Sequence, residues 1–223
     1  MSARASIAKA RIYKSKKRYD DASNIYQTLL SNHSHSSTLW FESSKLQFKQ
    51  HNAQIALTLI KNALEIHPDN KWYKLIQSDY LMALKHHKKA VSVLQSTHDQ
   101  YPRSIKTLRR LADALIASNN PSLAEDTLEK IREMNPGDIA ALMLLAKIQY
   151  QLERYTYAEE TLHNLLQIQQ NNLDARFLLA TISLEQGDTN KSLTHLKKLL
   201  KLEQTYQPAL TLRDKIIKNK QAS

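Results

Sequence analysis

The groups in this sequence able to do chemistry are 9 histidines, 21 carboxylates and a surplus of cations. The histidines cluster twice, as His33-Ser34-His35 and as His86-His87. A metal site built on a helix needs ligand pairs on one face, as in HExxH, and neither cluster has a second pair at that spacing. Both fall among turn residues, where an imidazole is solvated. The carboxylates are scattered, and no two can be nominated as an acid/base pair. There is no Cys, which removes a disulfide scaffold, a thiolate zinc site and a cysteine nucleophile. It does not fix the redox compartment. The two glycines, Gly137 and Gly187, form no phosphate loop and no dinucleotide fingerprint. The expectation is a non-enzymatic chain with no catalytic residue, no cofactor and no metal.

What remains is binding by charge. RSIKTLRR (103–110) and KSKKR (14–18) each hold four cations, and Tyr13 and Tyr19 flank the second run. The net charge is +11 and uneven. Residues 1–70 hold 10 Lys and Arg against 5 Asp and Glu, 71–136 hold 11 against 7, 137–204 hold 7 against 8, and 205–223 hold 4 against 1. This is compatible with an acidic protein or peptide, a nucleic acid or an anionic membrane surface, and chooses none of them. No stretch approaches 18 apolar residues, so no membrane span is expected. The start, MSARASIAKARIYKSKKRY, lacks the apolar core of a signal peptide. As given the chain reads as cytoplasmic, and as periplasmic if an upstream segment has been removed.

Whether those cations point at a partner depends on the elements that carry them. Apolar residues are 42% and charged residues 24%, ordinary for a folded domain, but Gly 2 and Pro 5 are too few for a sandwich, barrel or nucleotide-binding α/β fold. Shifted against itself by 34 residues from Ala3, the chain comes into register without insertion. Units begin at Ala3, Ser37, Lys71, Ile105, Ile139 and Leu173. The eighth position is Ala10, Ser44, Ser78, Ala112, Ala146 and Ala180; the twentieth is Ala22, Ala56, Ala90, Ala124, Ala158 and Ser192. All are small. The twenty-fourth is large: Tyr26, Ile60, Leu94, Leu128, Leu162 and Leu196. Small residues at two fixed places let helix axes approach to about 8–10 Å, and large ones fill the space beside them. Pro68, Pro102 and Pro136 stop the second helix of three units. KHHK (85–88), SNNP (118–121) and QGDT (186–189) are turn signals midway through units.

This pattern resembles the tetratricopeptide repeat, a 34-residue helix–turn–helix family. Unit two carries it as Trp40, Ser44, Ala56, Ile60, Ala63 and Pro68, and unit four as Leu108, Leu111, Ala112, Leu115, Ala124, Leu128 and Pro136. The resemblance implies an all-α fold: a right-handed α-solenoid of six units, 3–36, 37–70, 71–104, 105–138, 139–172 and 173–206. Residues 207–219 would be a C-terminal capping helix, followed by a tail at 220–223. Lys74 and Arg176 depart from the pattern at the large fourth position, as do Ser34, Gln170 and Gln204 at the thirty-second. The N-terminal end has no such cap. Either the first repeat is itself adapted, or the chain is the C-terminal part of a longer one.

The resemblance also implies that positions 2, 5, 6, 9, 12 and 13 of each unit line a concave groove. The helical period agrees, since these lie opposite positions 4, 8 and 11. In RSIKTLRR, Ser104 is the expected N-cap and Leu108 a core residue, while Lys106, Arg109 and Arg110 face the groove. Cations at a helix N-terminus are unfavourable by about 0.3–1 kcal/mol each, and Arg109 interrupts a position that is apolar elsewhere, as Ile7, Phe41, Leu75, Met143 and Phe177. The bland alternative is that Asp113, one turn on, pairs with Arg109 or Arg110. The rest of the candidate partner-binding groove is Lys45, Phe48, Trp72 and Tyr150, with Phe41, Leu75, Met143 and Phe177. Its apolar anchors suit a peptide or helix of a partner, and its cations an acidic one. Members of the family that clamp an Hsp70/Hsp90 C-terminal tail use basic and amide side chains from three units. Lys106 and Arg110 match the last of these, but Phe41, Lys45 and Ile76 do not match the others, so that clamp is excluded.

Three function classes follow. The first is a protein–protein interaction module or scaffold. The second is the substrate- or assembly-selecting repeat region of a longer bacterial envelope protein or enzyme. The run ALEIHPDNKWY…YPRSIKTLRRLADAL resembles the repeat tail of bacterial envelope metallopeptidases, without any motif of the enzyme itself. The third is a basic binder of RNA or single-stranded nucleic acid, which needs a basic track with stacking aromatics.

Overall fold

The computed structural model describes residues 3–222, with side chains described for residues 5–220. Among these are thirteen helices and no strand. They run α1 (Ala3–Ser15), α2 (Tyr19–Asn32), α3 (Ser37–Lys49), α4 (Ala53–Ile66), α5 (Lys71–Ala83), α6 (His87–Gln100), α7 (Ile105–Ala117), α8 (Pro121–Met134), α9 (Ile139–Gln151), α10 (Tyr155–Ile168), α11 (Leu173–Glu185), α12 (Thr189–Leu202) and α13 (Gln207–Ala222). Helices of 13 and 14 residues alternate through α12, and each starts 34 residues after its counterpart. The chain is an all-α helical repeat.

Local chemistry explains the boundaries. The first helices α3, α5, α7, α9 and α11 are capped by the side chains of Ser36, Asn70, Ser104, Asp138 and Asn172, each accepting from a backbone N–H in the first turn. Six residues at the fifteenth position of their units turn the chain through a left-handed conformation: Lys17, His51, Lys85, Asn119 and Glu153 at φ 58–64°, and Gly187 at 82°. For a residue with a Cβ this costs roughly 1–2 kcal/mol, less for Asn. Hydrogen bonds offset it. The next N–H, of Arg18, Asn52, His86, Arg154 or Asp188, returns to the carbonyl five residues back at 2.8–3.0 Å. The residues before Pro68, Pro102 and Pro136 leave the helix at φ −132 to −146° and ψ 65 to 81°, and His33, Gln169 and Glu203 do much the same in the units without that proline, at φ −125 to −141° and ψ 52 to 99°. Losing the proline therefore leaves the path unchanged.

All twelve small positions are 0–1% exposed, and the six large residues at the twenty-fourth are 0–2% exposed. Lys74 and Arg176 lie half-buried along the packing and their ends reach polar partners: Lys74 donates to Gln100, and Arg176 donates to the carbonyl of Gln170 while its Nε stays buried without a partner. The chain divides into two compact units, Met1–Ser118 and Asn119–Ser223. In the first, Ala10, Ala22, Tyr26, Leu29, Leu39 and Leu46 form one cluster. In the second, Leu142, Ala158, Leu162, Leu165, Leu179 and Ile182 form another. There α13 buries Ala209 and Ile216 against Ala180, Leu196 and Leu199. That helix runs beyond the expected Asn219 to Ala222, because Lys, Gln and Ala favour helix and nothing breaks it.

Candidate functional site

In the first unit, α3, α5 and α7 stand side by side and present one continuous face. Two ring contacts tie α3 to α5. Phe41 stacks on Tyr73 at 4.9 Å, and Phe48 meets Tyr80 at 4.6 Å. An ion pair ties α5 to α7: Arg110 donates twice to Asp79, at 2.7 and 3.1 Å. Between α3 and α5 lies a cleft of about 350 Å³, lined by Thr38, Phe41, Glu42, Lys45, Asn70, Trp72, Tyr73 and Ile76. Trp72 stands on its rim, 51% exposed.

Cations are held over the rings around this cleft. The Lys106 ammonium lies 4.8 Å from the Trp72 ring, and the Lys45 ammonium 5.0 Å from the Phe41 ring. Lys71 sits 5.7 Å from Trp72 and 5.2 Å from Tyr101, beside a shallower cleft of about 380 Å³ that also includes Arg103 and Ser104. Glu42 is shared by Lys14, at 3.2 Å, and Lys45, at 3.8 Å. Burial dominates the titration here. The Tyr80 phenol, bonded to Ser44 in the interior, is pushed up to about 12, first by desolvation. Desolvation also raises the Asp113 carboxyl, against the pull of Arg110 and Arg109.

The residues expected to line the groove meet different fates. Phe41, Lys45 and Trp72 line the cleft, and Phe48 packs one turn below it on Tyr80. Lys106 and Arg109 are exposed on α7. Arg110 is half-buried, and it reaches back to Asp79 of α5 rather than one turn on to Asp113. Leu75 is not a groove residue. It is 1% exposed, because α5 is flanked by α3 and α7 and its fifth position is enclosed from both sides. Met143, Tyr150 and Phe177 belong to the second unit. Met143 and Tyr150 pack on the cluster around Leu162, and Phe177 packs on the Leu196 cluster beside Tyr206, 5.9 Å away. They pack half-buried over a core. His33, His35 and His86 are exposed at turns.

Sequence reasoning passed over Glu42, Tyr73, Ile76 and Asp79. Glu42 and Ile76 stand at the sixth position and Asp79 at the ninth, both already assigned to the groove. An acid there facing a cation in a neighbouring unit, Lys14 for Glu42 and Arg110 for Asp79, was the available signal. Tyr73 is at the third position, and nothing in the repeat pattern marks it.

Tetratricopeptide repeat models match residues 3–32, 81–148 and 174–203. A model of the second ARM domain of tetratricopeptide repeat protein 21 matches residues 116–187. Among solved structures the chain is similar to YrrB, described as a TPR protein with an unusual peptide-binding site. The identity is 14% and the TM-score 0.71, covering 85% of this chain and 97% of that one. It is similar to the MamA protein, at 17% identity and TM-score 0.70, over 75% of this chain and 92% of the other. It is also similar to PilF of Pseudomonas aeruginosa, at 15% identity and TM-score 0.67, over 96% and 97%. At these identities the likeness is one of fold. No curated protein matches the sequence.

Proposed function

The chain belongs to the tetratricopeptide repeat family, and from that premise we propose that the face of α3, α5 and α7 binds an extended or helical segment of a partner protein, with acidic residues beside an apolar anchor. The chain is a protein-interaction repeat module, of a fold that is typically a non-catalytic scaffold. None of its described helices is long and apolar enough to cross a membrane. The observation that carries the finer reading is Trp72: a large ring half-exposed at the rim of a cleft floored by Phe41, Tyr73 and Ile76, with Lys45 and Lys106 on either side. Exposed aromatics beside desolvated pockets are where binding energy concentrates. Flanking ammonium groups select a partner of opposite sign and speed its encounter. The described peptide-binding site of YrrB supports a peptide as the ligand class.

The test is affinity capture from nuclease-treated native extract with the wild type, Trp72→Ala, and the Lys106→Glu/Arg109→Glu double variant. Proteins held by the wild type and lost from both variants support the reading. Identical sets from all three contradict it. Species captured only without nuclease replace it with nucleic-acid binding.

A further inference from the structure

The first unit has a second charged feature, away from the groove. The turns linking α1 to α2, α3 to α4 and α5 to α6 lie along one edge of the unit. Gln50 of the second turn donates to Asp20 beside the first at 3.0 Å, and the Phe48–Tyr80 contact holds the ends of α3 and α5 together. This edge carries Lys14, Lys16, Lys17, Arg18, Lys49, Lys85, Lys88 and Lys89. Lys14 pairs with Glu42, and Arg18 with Asp21. The other six are exposed, and none has a carboxylate within ion-pairing distance among the described residues. The two acids on the edge, Asp20 and Asp21, are already engaged by Gln50 and Arg18.

Folding does not account for this charge. The helix α6 carries Lys88 and Lys89 in its first turn and no acid, cations placed against the positive end of the helix dipole, where acids are stabilising. The second helices α2, α4 and α6 all start here without a side-chain cap, whereas α3, α5 and α7 start at the opposite edge, each capped by its own Ser or Asn. In the second unit the α9–α10 and α11–α12 turns carry Glu153, Glu185 and Asp188, with Arg154 and Lys191 paired to Glu125 and Glu159. The basic edge therefore belongs to one unit and is no general property of the repeat.

Two isoleucines stand among the lysines: Ile12 in the last turn of α1, 53% exposed, and Ile55 in the first turn of α4, 52% exposed. The two rings on this edge, Tyr13 and Tyr19, are half-buried against the cluster around Ala10 and Tyr26, and Tyr13 also lies under Lys9 and Arg18. A row of unpaired ammonium groups with exposed aliphatic tips matches the interface of an anionic bilayer, where lysines meet phosphates and aliphatic side chains enter the headgroup layer. Single-stranded nucleic acid would instead call for rings on which bases stack. We propose that this edge is a peripheral docking surface for anionic phospholipid membranes, independent of the groove.

The experiment is vesicle flotation of the full chain with phosphatidylcholine alone and with phosphatidylcholine plus phosphatidylserine. Binding is expected to the anionic vesicles only, and to weaken with added salt. Lys85→Glu/Lys88→Glu/Lys89→Glu should weaken it by more than about tenfold, while thermal unfolding moves to higher temperature because the α6 N-terminus loses its cations. Lys16→Glu/Lys17→Glu reads the same edge from another turn and should act in the same direction. Ile55→Ser should weaken binding about fivefold at unchanged charge. Equal binding to neutral and anionic vesicles would overturn the proposal. So would retention of binding by both charge variants, or displacement of the protein from vesicles by a mixed-sequence single-stranded RNA that binds at lower concentration.

Discussion

The two compact units are built on the same packing positions and differ in what they show to solvent. Residues 1–118 hold 19 Lys and Arg against 8 Asp and Glu, and 10 of the 15 aromatic residues. Residues 119–223 hold 13 of each charge and 5 aromatics. The whole excess of +11 is thus in the first unit, together with the Trp72 cleft and the basic edge. Small residues at the eighth and twentieth positions and a large one at the twenty-fourth are buried alike in both. Positions that set helix packing are constrained in every repeat. Positions on the groove and at the turns are free to differ, and there one unit has become basic and aromatic while the other has stayed neutral and aliphatic.

The largest effects should be those the units share. Leu94→Ala in the first and Leu162→Ala in the second each remove a 0%-exposed side chain from the same repeat position. Each is expected to cost about 2–5 kcal/mol in denaturant unfolding. A loss confined to one of them would break the equivalence of the cores.

Each unit contributes a perturbed group to the pH dependence. The folded Tyr80 phenol titrates at about 12, above its ordinary value of 10, so its stabilising contribution is complete below pH 10 and is lost as pH rises from 10 toward 12. In the second unit His195 is lowered, first by burial and then by Lys191 and Lys198. Its contribution is complete above its ordinary value of 6.5 and falls as pH drops below that toward the folded value. Stability measured against pH should lose part of the alkaline slope in Tyr80→Phe, Tyr26, Tyr150 and Tyr206 being raised as well, and part of the acid slope in His195→Gln.

A smaller and sharper contrast lies in two serines at small positions. The Ser44 hydroxyl donates to the Phe41 carbonyl and contacts the Tyr80 hydroxyl, while the buried Ser192 hydroxyl has no partner. Ser44→Ala is expected to destabilise by about 1–2 kcal/mol and Ser192→Ala to stabilise by about 1 kcal/mol. Equal signs would show that the hydroxyls are not what distinguishes the sites. Smallest are the turns. Lys85→Gly relieves a left-handed Cβ but loosens the unfolded chain, for a net gain of a few tenths of a kcal/mol. Gly187→Ala, at φ 82°, should cost about 1 kcal/mol.

Much of this was legible in the sequence, because a 34-residue period leaves its mark in every unit and small residues have one reason to recur. Helix ends, the Ser104 cap and the burial of Leu108 follow from it directly. The site was legible only in part. The groove positions of Phe41, Lys45 and Trp72 come from the family resemblance, with which the helical period agrees, but neither says which side chains cross to a neighbouring helix. Arg110 reads as a groove residue, with Asp113 pairing to Arg109 or Arg110 as the alternative, and it pairs with Asp79, 31 residues earlier and on the helix beside it. Leu75 was read as open on a face that the helices on both sides close. Tyr73 supports the cleft from a position the repeat pattern leaves unmarked.

The most direct test of the central claim is photo-crosslinking in the native cell. A benzophenone side chain would replace Thr38 at the cleft of the full chain, with and without Trp72→Ala, and the attached segments would be sequenced. The account predicts protein segments with acidic residues beside an apolar anchor, lost or reduced by tenfold or more when Trp72 is removed, the effect of truncating a hot-spot residue worth about 2 kcal/mol. The same segments at the same yield without Trp72, or segments with no acidic residue, would contradict it.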